Sequence, residues 1–266
     1  DWSSDVCSSD LAPVKSIDIE TNRLRPYASG AKILSCAVSF NDTNFAFALD
    51  HPKAKWGTDI HEIGELLLEL IKDDTTKVAH NAPFELEWFA WFYGPQYINH
   101  VGWHCTQMQA HVLDPRRGKP RGEDDRRSAY QGLDFLMHQH FGLRFKGLFK
   151  LNKKDLEKSD LKELLTYNAT DTKFTLKLFE QQSRLLIDQG QYHTYMESRP
   201  RQPAVALMQF FGVDVDQQKV TAAQKQLGDE LKAVEAEMNE LEVVKAFKAA
   251  AGEFSFSSND HVLTIF

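Results

Sequence analysis

No run of roughly 18 apolar residues occurs along the 266-residue chain, so the sequence offers no candidate membrane-spanning helix. Cysteine is scarce. The three present, Cys7, Cys36 and Cys105, form no C-x-x-C pair, and no secretory leader is recognisable, so a disulfide framework is excluded and a reducing cytoplasm is expected. A basic excess is also missing. Lys and Arg number 31 against 38 Asp and Glu, a formal charge of −7, which argues against a protein that wraps duplex nucleic acid through charge alone. That balance still suits an enzyme whose bound cations supply positive charge locally. No internal repeat is evident, and the length allows one large domain or a domain with an appendage.

What the sequence does hold is four carboxylates in three separated clusters: Asp18 and Glu20 in SIDIET, Glu85 in AHNAPFELEWF, and Asp171 in YNATDTKFTLKLF. Asp18 and Glu20 stand two apart on a predicted strand and therefore leave the same face of a sheet. Two acids side by side near a buried strand end repel each other and are costly to desolvate, which a divalent cation relieves. In AHNAPFELEWF a short strand runs into a helix whose entry carries Asn81 and Pro83, which places Glu85 on the first helical turn. Tyr167 and Asp171 are spaced i, i+4 in a segment with helical periodicity, so a phenol and a carboxylate share one helix face. Mg²⁺ and Mn²⁺ prefer such oxygen ligands, and two ions about 4 Å apart clamp the attacking and leaving oxygens of an in-line phosphoryl displacement. The expected set is Asp18, Glu20 and Asp171 on one ion, with Asp18 bridging to a second that Glu85 reaches directly or through water. Tyr167 positions the attacking water.

Each motif alone is weak, because exposed strands often carry acids and helix surfaces often carry i, i+4 pairs. Their specificity lies in the combination and its order.

Coarse patterning gives strands near 13–20, 32–40, 44–50 and 77–80, with a turn at NDT, and helices near 59–72, from 83, 105–113, 130–141 and 160–187. This is an α/β arrangement of helices over a mixed sheet. From Pro203 the pattern is helical, with residues 221–250 reading as one amphipathic rod, so a boundary is expected near 198.

The order D-x-E, N-x-x-F-acid, Y-x-x-x-D resembles the three exonuclease motifs of the DEDD superfamily, tyrosine subclass. The closest resemblance within it is to the proofreading 3′-5′ exonuclease domain of bacterial or phage family A DNA polymerases. TQMQAHVLDP and GLDFLMHQHFG resemble helices following the second motif, and AVALMQFFGVDVD resembles the entry to the polymerase thumb. The resemblance implies an RNase H-like mixed five-stranded sheet flanked by helices, an exonuclease domain over 12–197 and the start of a thumb over 198–266. It also implies two Mg²⁺ or Mn²⁺ ions, catalytic Asp18, Glu20, Glu85, Tyr167 and Asp171, and a single-stranded DNA 3′ end as substrate. The polymerase core of the same full-length chain is the implied partner. Leu24 falls where the family places an apolar wedge, Asn81 where it contacts the substrate strand, and Phe84 beside Glu85 is a further substrate contact or a core residue. A free-standing exoribonuclease and an inactive polymerase scaffold are the alternatives.

The family usually has Asp where this chain has Glu85, whose extra methylene moves the oxygen by about 1.5 Å. The opening DWSSDVCSSDL lacks apolar periodicity and resembles translated sequencing adapter, so residues 1–11 are expected to be non-native. Other features are read plainly: His100, His104 and His111 as surface or core histidines, WFAWFYG at 88–94 as core, and the charged stretch 116–127 as a solvated loop. Phe145, Phe149 and Arg144 are either base-contacting or ordinary loop residues.

Overall fold

A computed structural model describes residues 14–57, 60–98, 102–116, 130–153 and 155–265. The adapter-like segment with Cys7, His100 and residues 117–127 of the charged stretch lie outside these.

Five strands form one sheet in the order β3-β2-β1-β4-β5, with β1 at Lys15–Thr21, β2 at Ile33–Phe40, β3 at Thr43–Ala48, β4 at Lys77–Ala79 and β5 at Trp103–Cys105. The first three are antiparallel, and β4 and β5 run parallel to β1. Phe40 pairs with Thr43, so Asn41 and Asp42 make a two-residue turn, and Asn41 takes the positive φ of 49° that such turns require. Helix α1 (Ile60–Lys72) carries the chain to β4, and α2 (Ala82–Tyr93) makes the crossover from β4 to β5.

Strand alternation decides where the site forms. Ile17 and Ile19 join Cys36, Val38, Leu67, Ile71, Leu86 and Phe89 in the main core on one side of β1. Ser16, Asp18 and Glu20 point the other way, onto α5 (Leu161–Asp188), which crosses β1, β2 and β3. Two hydrogen bonds fasten that helix: Ser16 Oγ donates to the Thr172 carbonyl at 2.6 Å, and Ser35 Oγ donates to Asn168 Oδ1 at 3.0 Å. Asp160 caps α5 by accepting from the Glu163 amide at 3.0 Å. Helices α3 (Thr106–Leu113) and α4 (Leu133–Phe141) pack on the far half of α5 around Met137, Phe145 and Leu178.

The sheet bears out the mixed five-stranded expectation, although β5 lay hidden in the sequence: Cys105 falls at the start of the next expected helix, and Trp103 and His104 fall in no expected element. The chain divides into two compact units at Gly212, not near 198. The reason is burial. Tyr195 of α6 (Tyr192–Ser198) hydrogen-bonds His104 Nδ1 at 2.9 Å and the Cys105 amide at 3.2 Å, and Ala206 of α7 (Arg201–Phe211) is part of the main core. In the second unit the expected rod is broken into α8 (Gln217–Asn239) and α9 (Glu242–Ala251), because Leu241 adopts extended backbone between them. Phe247, Phe254 and His261 of α10 (Asn259–Ile265) form a small aromatic cluster with centroids 5.1–5.9 Å apart.

Candidate active site

Asp18, Glu20, Glu85, Tyr167 and Asp171, far apart in sequence, line one cleft of about 640 Å³. β1 supplies the first two side chains, α2 supplies Glu85 from its first turn, and α5 supplies Tyr167 and Asp171. Asp18, Glu20 and Asp171 each offer an oxygen within 4.8 Å of the others, the spacing of one cation's ligand set. Glu85 is 2% exposed and its Oε2 is buried without a hydrogen-bond partner. Burial, seconded by the Glu20 charge and opposed by its own backbone amide, pushes its carboxyl well above the usual carboxylate range. A buried acid that strains to keep its proton beside another acid is what a cation would relieve, so the donor set fits divalent metal. Asp18, Glu20 and Asp171 are the residues to hold it, with Glu85 beside them.

Tyr167 is buried, and burial together with the charges of Asp171, Glu20 and Asp18 drives its phenol far above the ordinary tyrosine range. It therefore stays protonated and serves as a hydrogen-bonding group, not as a base. Its ring is held edge-on by Phe149 at a centroid distance of 5.2 Å.

Three further residues at the site drew no expectation from the sequence. Asn168 Nδ2 donates to Asp18 Oδ2 at 2.5 Å while accepting from Ser35, and so fixes the rotamer of Asp18. Lys153 Nζ donates to Tyr167 Oη at 2.8 Å. His80 lines the cleft and bonds Thr106 Oγ1 through Nδ1 at 2.8 Å. Asn168 stands next to Tyr167 in YNATD and His80 precedes Asn81 in AHNAPFELEWF, at the end of the expected strand 77–80, whereas Lys153 sits in a connection without periodicity.

The three expected substrate contacts all line the cleft. Leu24 is 85% exposed on the loop after β1. Asn81 occupies the N-cap position of α2, yet its side chain makes no cap bond and its backbone is left-handed (φ 80°, ψ 49°), a conformation asparagine tolerates. Phe84 packs against the main core, one of its two expected readings, and also lines the cleft.

Other readings need correction. Phe145 is buried against Phe174 at 4.6 Å and is core, unavailable for base stacking. In the aromatic stretch Trp88, Phe89 and Ala90 are buried, whereas Trp91 and Phe92 are half-exposed because they fall on the outer side of α2. His104 is a core histidine as expected: Arg199, always a donor, gives a hydrogen bond to Nε2 at 2.7 Å, which leaves Nδ1 to donate to Tyr195. His111 bonds Gln131 at 3.0 Å. Among the described residues the acid cluster is the only candidate metal-ligand group.

A mixed five-stranded sheet with two acids on its central strand, and a tyrosine and a further acid on the helix that covers it, defines an RNase H-like nuclease fold. The chain belongs to the 3′-5′ exonuclease family, whose sequence profile matches residues 3–187. Enzymes of this family work with two divalent metal ions, and the Asp18, Glu20 and Asp171 cluster fits that requirement. Among solved structures the fold is similar to Brucella melitensis NrnC with bound Mg²⁺, at 19% identity and a TM-score of 0.51 over 78% of this chain and 92% of that one. It is also similar to Escherichia coli RNase D, an exoribonuclease involved in structured RNA processing, at 15% identity and a TM-score of 0.50 over 74% of this chain and 46% of that one. Among curated proteins no sequence matches this one.

Proposed function

We propose that this chain hydrolyses the 3′-terminal phosphodiester of single-stranded or frayed DNA, releasing nucleoside 5′-monophosphates, and that it proofreads for a family A DNA polymerase core in the same full-length protein. The observation that carries the chemistry is the convergence of Asp18, Glu20 and Asp171 within 4.8 Å, in a cleft shared with Glu85 and Tyr167. Preference for DNA and partnership with a polymerase rest on the likeness of the 106–115, 132–142 and 204–216 segments to that polymerase family. Two bound divalent cations supply charge neutralisation and Lewis acidity for an in-line displacement. Asp18, Glu20 and Asp171 would hold one ion, and Asp18 and Glu85 would serve the second. Asn168 keeps the Asp18 carboxylate turned into the cleft. Tyr167, protonated, orients the attacking water. Leu24 stands at the cleft edge as an apolar wedge for the terminal base, Phe84 offers a ring beside it, and the uncommitted Asn81 amide faces the strand.

The test incubates the chain with 5′-labelled single-stranded DNA and its RNA equivalent, in Mg²⁺ or EDTA. Stepwise 3′ shortening of DNA that EDTA abolishes is the expected result. Shortening of RNA alone assigns an exoribonuclease, and no cleavage by a demonstrably folded chain assigns an inactive scaffold.

A further inference from the structure

Lys153 belongs to none of the three motifs, yet it enters the acid cleft from the irregular segment before α5. Its Nζ donates to Tyr167 Oη at 2.8 Å and lies 4.9 Å from the centre of the same ring, opposite in kind to the edge contact from Phe149. An ammonium has donors only, so the phenol oxygen must accept from it. The phenol's single hydrogen is therefore turned away from Lys153. A water that reaches the hydroxyl meets an oxygen whose hydrogen direction Lys153 has set.

We infer that Lys153 is a positioning residue for hydrolysis: it fixes the direction of the Tyr167 hydroxyl, and through it the orientation of the attacking water. This deepens the exonuclease reading above and rests on it. Lys153 acts through Tyr167 and not as an anchor for the substrate phosphate, so its removal affects turnover more than substrate affinity. Its effect also depends on the phenol being present.

The experiment measures single-turnover and steady-state cleavage of 5′-labelled DNA by wild type, Lys153→Met, Lys153→Arg, Tyr167→Phe and the Lys153→Met/Tyr167→Phe pair, with Mn²⁺ affinity by calorimetry. Lys153→Met is expected to lower kcat about 10- to 100-fold with KM changed less than about 3-fold. Lys153→Arg, which keeps a charged donor, recovers part of the loss. In the Tyr167→Phe background the lysine substitution costs less than about 2-fold, since the group it acts through is gone. Mn²⁺ affinity stays level or tightens, because removing a neighbouring positive charge cannot weaken a cation site electrostatically. Additive losses in the pair, a rise in KM at constant kcat, unchanged turnover, or weakened Mn²⁺ binding would each overturn the assignment. Failure of the wild type to cleave any oligonucleotide while still binding Mn²⁺ sinks the exonuclease reading itself, and the role of Lys153 with it.

Discussion

Two acidic regions sit at opposite ends of one strand and are treated in opposite ways. At the start of β1, the Asp73 carboxylate accepts hydrogen bonds from Lys15, from the Thr75 hydroxyl and amide, and from Lys77, whose ammonium is 2.9 Å away and whose side chain is 1% exposed. Burial works against the Asp73 charge, but those donors hold its carboxyl well below the usual range. Three residues along, Asp18 and Glu20 face Asp171, and the nearby Glu85 is pushed in the other direction, with a buried oxygen that no donor meets. The first region ties β1, β4 and the end of α1 together using the protein's own cations. The second gathers four carboxylates in one cleft, a concentration of negative charge that suits a divalent cation, and it is there that the proposed chemistry is placed.

Breaking each region should therefore produce different failures. The largest effect is expected from Asp18→Ala or Asp171→Ala: exonuclease turnover falls by about 10³-fold or more, as loss of a metal ligand forfeits several kcal/mol of transition-state stabilisation, while urea unfolding stays near wild type. Asp73→Ala should do the reverse. It leaves the buried Lys77 ammonium without its carboxylate, with only the backbone carbonyls of residues 73 and 75 to accept from it, and costs about 2 kcal/mol of unfolding free energy, below the range for fully buried pairs because Asp73 is partly exposed, with metal affinity unchanged. The pH dependence sharpens this. A carboxyl whose folded value lies below its ordinary 3.8 contributes stability above that pH and loses it as pH falls, so acid unfolding monitored below about pH 4 should be shallower in Asp73→Ala than in wild type. Asn168→Ala, which frees the Asp18 rotamer, is expected to slow cleavage about tenfold in a gel assay with little change in melting temperature. Smallest is Glu85→Asp, which should leave rate and metal affinity unchanged or raise them by a few-fold; a large loss in either measurement would mean that the site has adapted to the longer side chain.

The acid cleft was largely legible in the sequence and the Asp73 cluster was not, and the limits follow a physical line. Asp18 and Glu20 declared themselves because strand alternation fixes which way they point, and Tyr167 and Asp171 because an α-helix brings i and i+4 together. Those rules need only local structure. Asn168 and Lys153 act across 150 and 14 residues of sequence, so their roles depend on where α5 docks and how an irregular segment folds back. β5 escaped notice because three residues carry too little alternation, and the break at Leu241 because an apolar residue within an amphipathic run gives no stop signal. Phe145 was open between two readings until the second core formed around it. The division at Gly212 likewise reflects the burial of Tyr195 and Ala206, a tertiary event with no marker at 198.

The most direct test of the central contrast is calorimetric titration of Mn²⁺ into wild type, Asp18→Ala and Asp73→Ala. Saturable binding that is lost in Asp18→Ala and retained in Asp73→Ala is the result this account predicts. A wild type that binds no Mn²⁺, or an Asp18→Ala variant that binds it as well as wild type, would contradict it.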